Sequence, residues 1–351
     1  MKRRLLPALF AACAAMTVFA QPAPKTNGLT AVAGLKVGHY TLTERPTGCT
    51  VVLAEKGAVG GVDVRGAAPG TRETDLLNPV NTVEKVQAIV LAGGSAFGLD
   101  AASGVMRYLE ERGIGYPTMV IPVPIVPAAI LFDLGVGGNP KIRPTADCGY
   151  RAALAATDGP VLEGNVGAGA GATVGKLAGP TRAMKSGIGT AAYALPDGTI
   201  VAAIVAVNAA GDVIDPETSQ VVAGVRTPDG KGLADARKLI RSREFKLPTR
   251  HPAAENTTIG IVATNARLTK AQATKLAQMA QDGVARAVYP AHTPVDGDTI
   301  FAMATGERSE PADVLVLGVF AADVVSQAIV RAVRQATGIA GFPAARDLER
   351  R

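Results

Sequence analysis

The stretch Asn256-Thr257-Thr258-Ile259-Gly260-Ile261-Val262-Ala263 joins a short polar segment to an apolar run rich in β-branched residues. Such a run indicates a buried strand. A threonine at this point can attack the carbonyl group before it by an N→O shift, and hydrolysis of the resulting ester frees its amine. That amine, with an ordinary pKa of about 7.7–8.0, can act as the base for the adjacent hydroxyl. Asn256 also fits plain turn chemistry, so the rest of the sequence has to decide between the two.

The first twenty residues have the pattern of a secretory signal. Met1-Lys2-Arg3-Arg4 precedes an apolar stretch, and Val18 and Ala20 occupy the −3 and −1 positions before the predicted cleavage point. The apolar stretch is too short to span a bilayer comfortably. We therefore predict cleavage after Ala20, a periplasmic or secreted protein, and no membrane attachment of the mature chain.

The charge of the chain does not indicate a nucleic-acid-binding protein. Half of the formal net charge of +6 lies on Lys2, Arg3 and Arg4, inside the predicted signal. The remaining charge is too small to predict a nucleic-acid partner.

The cysteines and histidines predict neither a disulfide-rich fold nor a metal site. Cys49 and Cys148 remain after signal removal, and one disulfide between them is possible, but two buried thiols are favoured. His39, His251 and His292 are scattered and no cluster has zinc spacing. We therefore expect no protein-built metal site.

Patterns typical of strands and helices alternate along the chain without regular βαβ order. Runs of adjacent antiparallel strands followed by long helices predict an α+β fold with two sheets sandwiched between helical layers, ahead of a doubly wound parallel sheet. Residues 60–79 are predicted as a loop and residues 226–256 as a linker. Strands are predicted at residues 49–54, 88–92, 187–195, 199–208, 257–264 and 299–305, and helices at 96–112, 146–156, 269–287 and 311–337.

Two carboxylates stand just before the last predicted strand. Asp296-Gly297-Asp298 reads as a turn, since Asp-Gly is a common turn pair. The alternative is that Asp296 and Asp298 orient and charge-balance an amine, which a free Thr257 would need. The local pattern leaves both interpretations open.

A glycine-rich segment and an asparagine are candidate oxyanion-binding elements. Residues 167–176 do not form a phosphate loop, because Ala170 and Leu177 stand where glycine and Ser/Thr are required. The segment either brings backbone N–H groups and Lys176 to an oxyanion or is a flexible surface loop. Asn208, at a predicted strand end, is either a turn residue or an amide donor to the oxyanion.

The segment Gly93-Gly94-Ser95-Ala96-Phe97-Gly98 lies between a predicted strand and a predicted helix. It fails as a nucleophile elbow because Phe97 occupies the position of the last required glycine. We interpret Gly93 and Gly94 as residues that let the strand and the helix pack closely.

Together these segments resemble the L-aminopeptidase/D-esterase and β-peptidyl aminopeptidase family, which includes the 6-aminohexanoate-oligomer hydrolases. The resemblance implies a self-processing N-terminal nucleophile hydrolase with a four-layer αββα sandwich, similar to the ornithine acetyltransferase-like fold. It also implies an α chain of residues 21–256, a β chain of residues 257–351 within the same domain, a tetramer of αβ pairs, and no cofactor. The matching segments are residues 28–39, 48–51, 91–99, 167–176, 256–265 and 296–306.

The resemblance assigns a role to five residues. It places the nucleophile at Thr257, the oxyanion-stabilising groups at Lys176 and Asn208, and the carboxylates that hold the new amine at Asp296 and Asp298. The amine of Thr257 would take the proton from its hydroxyl and return it to the leaving group.

Two departures from the family pattern bear on the substrate. The aminopeptidase branch carries a serine nucleophile and Ser-Gly-Glu in place of Asp296-Gly297-Asp298, so this chain sides with the threonine branch. Phe132 stands where the oligomer hydrolases carry a tyrosine, which removes a hydroxyl from the expected substrate side. The resemblance thus implies an aminopeptidase acting on short peptides or amino-acid amides. The alternatives are an amide-oligomer endohydrolase, an acyltransferase like the ornithine enzymes, and an unprocessed periplasmic binding protein.

Overall fold

A computed structural model of the chain describes residues 28–242 and 256–349. The predicted signal, residues 1–20, lies outside the described residues, as do residues 243–255 of the predicted linker.

The described residues contain fourteen strands and six α-helices. The strands are β1 Lys36–Thr41, β2 Gly48–Val64, β3 Thr71–Arg72, β4 Lys85–Ala92, β5 Ala128–Ile130, β6 Thr173–Val174, β7 Met184–Lys185, β8 Ile188–Ala194, β9 Ile200–Asn208, β10 Asp212–Ile214, β11 Val221–Ala223, β12 Thr257–Thr264, β13 Val288–Tyr289 and β14 Thr299–Ala304. The helices are α1 Ala101–Glu110, α2 Ala146–Leu154, α3 Ala236–Ser242, α4 Lys270–Ala287, α5 Val314–Gln335 and α6 Ala345–Glu349.

Three apolar layers separate the four layers of secondary structure. One lies between α4 and α5 and the outer face of β8, β9, β12 and β14. The second lies between the two halves of the main sheet, one formed by β8, β9, β12 and β14 and the other by β2, β4 and β5. Here Ile204, Ile259 and Phe301 pack with Val52 and Leu91. The third lies between β2, β4 and β5 and the helices α1 and α2. Because side chains alternate along a strand, each half of the sheet contributes to two apolar layers, and the predicted αββα sandwich is confirmed.

The long strand β2 joins the two halves into one hydrogen-bonded sheet. Its first part pairs with β1 and β4, and its last residues pair with β14. The prediction of a loop was therefore wrong for residues 60–64. Glycine suggested a loop there, but a Cβ on Gly61 would lie 2.5 Å from the backbone of Ala273. Glycine is needed in the strand so that α4 can approach it.

Strand β12 lies between β9 and β14, and this arrangement positions the candidate site. It runs antiparallel to β9 with Thr257 opposite Asn208, and parallel to β14 with Ile259 opposite Thr299. All of its residues are buried. Thr257, Asn208 and the segment leading into β14 consequently meet at one end of the sheet.

The two long helices follow their sequence signals closely. Helix α4 begins where it is predicted, at a capping box in which the Thr269 and Gln272 side chains each accept a hydrogen bond from the other's backbone N–H. Helix α5 begins after Asp313, whose carboxylate accepts two backbone N–H groups, and is slightly shorter than predicted.

Helix α5 is the one helix of the described residues that is long and apolar enough to cross a membrane. It packs instead against α4, β8 and β9. Its buried face carries Leu317, Ala321 and Val325, whereas Leu315 on the opposite face is 69% exposed. Helix α5 is therefore buried on one face and exposed on the other.

Cys49 and Cys148 form a disulfide between β2 and α2, with Cα atoms 6.2 Å apart. The favoured prediction of two buried free thiols was therefore wrong. Residues separated by 99 positions meet here because α2 packs against β1 and β2. Sequence spacing alone carries no information about such a contact.

Replacing Cys49 and Cys148 together with alanine is expected to lower the free energy of unfolding by about 2–4 kcal/mol, because the crosslink restricts the unfolded chain. Urea denaturation with and without a reductant measures the effect. The wild type should lose a similar amount in reductant, and the double variant should not respond to it. Equal midpoints in all four experiments would show that the crosslink does not stabilise the protein.

Candidate functional site

The carbonyl oxygen of Asn256 is contacted by two hydrogen-bond donors. The Thr257 hydroxyl lies 2.5 Å from it, and the backbone N–H of Gly297 donates to it at 2.9 Å. Thr257 is the first residue of β12 and only 2% exposed. The peptide bond predicted to break is thus held beside the predicted nucleophile, and its carbonyl is already polarised by a backbone donor.

The carboxylate segment 296–298 is held in place from its other side by the chain that leaves β2. Arg65 and Gly66 donate their backbone N–H groups to the Asp298 carbonyl, at 3.0 and 3.2 Å, and Ala68 donates to the Asp296 carbonyl at 2.9 Å. A Cβ on Gly66 would lie 2.2 Å from the Asp296 carbonyl oxygen, so glycine is required for this approach. The segment is therefore fixed between β2 and the start of β12.

Asp298 contacts the start of β12 directly. Its Oδ1 accepts the backbone N–H of Thr258 at 2.7 Å, and the side chain is 3% exposed. This carboxylate lies next to the position where a free Thr257 amine would form. The prediction that places Asp298 near that amine is consistent with the geometry.

Asp296 is the second buried carboxylate of the site. Its Oδ2 accepts the backbone N–H of Thr293 at 2.9 Å and the Thr293 hydroxyl at 2.5 Å. Burial and the negative charge of Asp298 raise the pKa of Asp296, against the opposing influence of Thr293 and the Lys176 ammonium. Asp296 therefore binds a proton more readily than an ordinary aspartate does.

Lys176 and Asn208 contact each other across the other side of Thr257. The ammonium of Lys176 donates to both the side-chain and backbone oxygens of Asn208 at 2.9 Å. Asn208 is fully buried at the end of β9, and its side-chain nitrogen donates to the backbone carbonyl of Phe132 at 2.9 Å. The side chain of Asn208 therefore links Lys176 to the chain at Phe132, which reaches the site through its backbone.

The glycine-rich segment 167–176 is not a flexible surface loop, because residues 167–175 are all buried. The buried ammonium of Lys185 donates to the carbonyls of Gly169 and Ala172, at 3.0 and 3.1 Å, and to that of Ser186. Burial lowers the pKa of Lys185 to about 7, although the negative charge of Asp133 opposes the change. These bonds fix the segment that carries Lys176.

A buried ion pair supports the chain next to Phe132. Asp133 accepts Arg45 at 2.7 Å, with both side chains fully buried, and its Oδ1 also accepts the backbone N–H of Gly94 at 2.9 Å. A Cβ on Gly93 would lie 2.1 Å from the Asp133 carboxylate. The close approach at Gly93 is thus to the Asp133 carboxylate, rather than between the strand and the following helix as we interpreted it.

His292 is a site residue that the sequence did not reveal. Its backbone N–H and ring Nδ1 each lie 3.0 Å from Oδ2 of Asp298. Burial of the ring opposes protonation, but the hydrogen bond and charge of Asp298 outweigh it and raise the pKa of His292. In the sequence, His292 carried no signal beyond its position shortly before the carboxylates.

The structure brings the predicted site residues to one place at the end of the sheet. Asn256 and Thr257 contact Gly297, Asp298 contacts Thr258, and Asn208 lies opposite Thr257 and binds Lys176. Across residues 28–242 and 256–349, no three His, Cys, Asp or Glu side chains are grouped as metal ligands. The arrangement brings together a threonine hydroxyl, a backbone N–H donor, an ammonium group and a pair of carboxylates.

The family model described as Peptidase family S58 matches residues 27–346. A Mycobacterium tuberculosis protein described as an uncharacterized aminopeptidase is 43% identical, over 92% of this chain and 98% of its own length. The 6-aminohexanoate-oligomer endohydrolase of Kocuria sp. (strain KY2) is 30% identical, over 86% of this chain and 84% of its own length.

Two solved structures share the fold. The L-aminopeptidase D-Ala-esterase/amidase of Ochrobactrum anthropi, described as a new variant among the Ntn hydrolase fold, gives a TM-score of 0.66 at 20% identity, covering 93% of this chain and 92% of that one. A Burkholderia sp. beta-aminopeptidase gives 0.64 at 23% identity, covering 93% and 94%. At these identities the likeness supports the fold alone, and it agrees with the predicted fold.

Gly66→Ala is expected to displace the 296–298 segment and lower the free energy of unfolding by about 1–3 kcal/mol, since its Cβ has no room beside the Asp296 carbonyl. Gly135→Ala is the matched control, because a Cβ there meets nothing within 4 Å. Urea denaturation of both variants tests the packing. An equal effect of the two substitutions would contradict it.

Proposed function

The chain belongs to peptidase family S58 and is a hydrolase of peptide or amide bonds, and on that basis we propose that it is a self-processing threonine aminopeptidase. Its nucleophile is Thr257, released by cleavage after Asn256. The observation that carries the proposal is the Asn256 carbonyl, which lies between the Thr257 hydroxyl and the Gly297 N–H.

Self-cleavage uses these contacts in two steps. The Thr257 oxygen attacks the Asn256 carbonyl carbon, the C–N bond breaks, and the proton passes to the Thr257 nitrogen. Water then hydrolyses the ester, leaving a carboxylate on Asn256 and a free amine and hydroxyl on Thr257. As negative charge develops on the Asn256 oxygen, the Gly297 N–H stabilises it without moving, because it already donates to that atom.

Substrate hydrolysis follows from the same groups after cleavage. The Thr257 amine accepts the hydroxyl proton as the oxygen attacks the substrate carbonyl, and returns it to the leaving amine. The bond of Asp298 to the adjacent Thr258 N–H supports a role for this carboxylate in holding the amine. The Lys176 ammonium, held by Asn208 across from Thr257, supplies positive charge for the oxyanion.

The substrate class we propose is short peptides or amino-acid amides with a free amino terminus. Amide-oligomer endohydrolysis is the second candidate, because the Kocuria relative bears that name. Residue 132 is part of the site wall through its carbonyl bond to Asn208, and phenylalanine offers no side-chain hydroxyl there. Assays of aminoacyl anilides against 6-aminohexanoate oligomers decide between them, and faster oligomer cleavage would reverse the ranking.

The cleaved enzyme is proposed to act outside the cytoplasm as a tetramer of αβ pairs. Residues 1–20 have the signal pattern, and the Cys49–Cys148 disulfide supports an oxidising compartment. Cell fractionation with amino-terminal sequencing should find chains beginning at Gln21 and Thr257 outside the cytoplasm. Sedimentation of that material gives the assembly, and a single αβ pair would disprove the tetramer.

Thr257→Ala should leave the chain at full length and reduce amide hydrolysis about 10³-fold or more, because it removes the nucleophile of both reactions. Thr258→Val is the matched control, since the buried Thr258 hydroxyl makes no hydrogen bond. Gel electrophoresis and an anilide assay measure the two effects. Turnover by the uncleaved alanine variant would remove Thr257 from the mechanism.

A further inference from the structure

His292 is held in a conformation that residues other than glycine seldom adopt. Its φ is 55°, in the left-handed region. Such a conformation is costly and persists where the surrounding structure requires it. Here it turns both the backbone N–H and ring Nδ1 of His292 onto one oxygen of Asp298. The left-handed conformation therefore serves the contact with Asp298.

The two oxygens of Asp298 have separate partners. Oδ2 receives His292, whereas Oδ1 receives the backbone N–H of Thr258 at 2.7 Å. A carboxylate with one oxygen held by an imidazole cannot rotate freely, so Oδ1 stays directed at β12. The backbone next to Thr257 is in turn fixed by Oδ1.

Protonated His292 places a positive charge beside Asp298. Asp296 and Asp298 are negative when ionised, and Lys176 and His292 are the cations that interact with them. A buried carboxylate without compensating charge is costly and tends to bind a proton. Loss of the His292 proton would remove the positive charge beside Asp298 and weaken the contact between the two side chains.

The other groups facing the His292 ring have opposing effects on its pKa. The carbonyl of Gln281 on α4 favours the protonated ring, whereas the positive charge of Arg65, after β2, disfavours it. Burial also disfavours it, and Nε2 makes no hydrogen bond. Asp298 outweighs these influences, so the pKa of His292 is raised above its ordinary value of 6.5.

We propose that protonated His292 is the positioning residue that keeps Asp298 directed at the start of β12, and that loss of its proton slows self-cleavage. The inference rests on the proposed function. A misplacement of about 1 Å at a reacting group can cost about 10²-fold in rate, so weakening this anchor is sufficient to slow the attack of Thr257.

The pH dependence of self-cleavage reports on His292 without interference from the Thr257 amine, which titrates only in the cleaved enzyme. Before cleavage, the Thr257 nitrogen is an amide and does not titrate. His292→Asn is the informative variant, because asparagine tolerates a left-handed φ and can donate a hydrogen bond but carries no charge. His292→Gly keeps the backbone conformation and removes the side-chain donor. Ser219→Gly relieves the same conformation, φ 59°, in an exposed turn and is the control.

The experiment follows loss of the full-length band after cell-free synthesis between pH 5.5 and 9. We expect the wild type to cleave about 10-fold faster than His292→Asn at pH 6, with this ratio falling toward one above the His292 pKa, and His292→Gly to be about 10²-fold slower than the wild type. Ser219→Gly should match the wild type. A ratio independent of pH, or normal cleavage by His292→Gly, would overturn the inference while leaving the proposed function intact.

A second measurement does not depend on cleavage. In full-length Thr257→Ala protein, NMR should show the His292 ring titrating above pH 6.5, with its signal assigned by its absence in His292→Asn. Adding Asp298→Asn should lower that pKa, and an unchanged pKa would refute the pairing. If the wild type never cleaves, the proposed function fails, and this titration still tests the His292–Asp298 contact.

The raised pKa of His292 also determines how its contribution to folding stability changes with pH. Because the folded pKa of His292 is raised, its stabilisation is fully present below about pH 6.5 and is lost as the pH rises through the folded value. Thr257→Ala protein should therefore lose stability relative to its His292→Asn counterpart over that window. A constant difference in melting temperature would contradict the charge argument.

Discussion

The hydrogen bond from Gly297 to the Asn256 carbonyl is the contact on which the rest of the site depends. It connects the start of β12 to the segment that enters β14, at 2.9 Å. The adjacent parallel strands β12 and β14 bring these chain segments together. The chain that leaves β2 donates backbone hydrogen bonds to residues 296 and 298 from the other side. A backbone donor held by so many contacts is rigid, and rigid donors stabilise developing charge most effectively.

Burial shapes the chemistry of the site as strongly as geometry does. Asp296 and Asp298 lie close together with little access to water, and the pKa of Asp296 is raised as a result. Lys176 and His292 limit the cost of that negative charge. Self-cleavage would add a cationic amine beside the same carboxylates, so the cluster that tolerates the precursor is also suited to the product.

A second buried polar network supports the site from behind. Lys185 binds carbonyls of the glycine-rich segment, and the Arg45–Asp133 ion pair fixes the chain that presents the Phe132 carbonyl to Asn208. Removing one partner of a buried ion pair leaves an uncompensated charge and is usually far more costly than the pair is stabilising. These residues therefore matter to the site without touching a reacting atom.

Local pattern predicted several elements well. Runs of apolar residues predicted β9 and β12, and the start of α4 was predicted to within one residue, because these signals depend on neighbours in the chain. The prediction of a loop at residues 60–64 was wrong, because glycine is needed there to let helix α4 pack closely against the strand. The resemblance to a family, rather than spacing, joined Thr257, Lys176, Asn208, Asp296 and Asp298 into one candidate site.

By itself, the sequence determined the residue types on which the chemistry depends: a threonine after asparagine at a strand start, an Asp-Gly-Asp segment, and a lysine after a glycine-rich run. Only the tertiary structure decided that Gly297 binds the Asn256 carbonyl, that His292 holds Asp298, and that Cys49 meets Cys148. Each of these contacts joins chain segments brought together by sheet register or helix packing. Local sequence does not encode such distances, because they are set by how the layers bury their apolar faces.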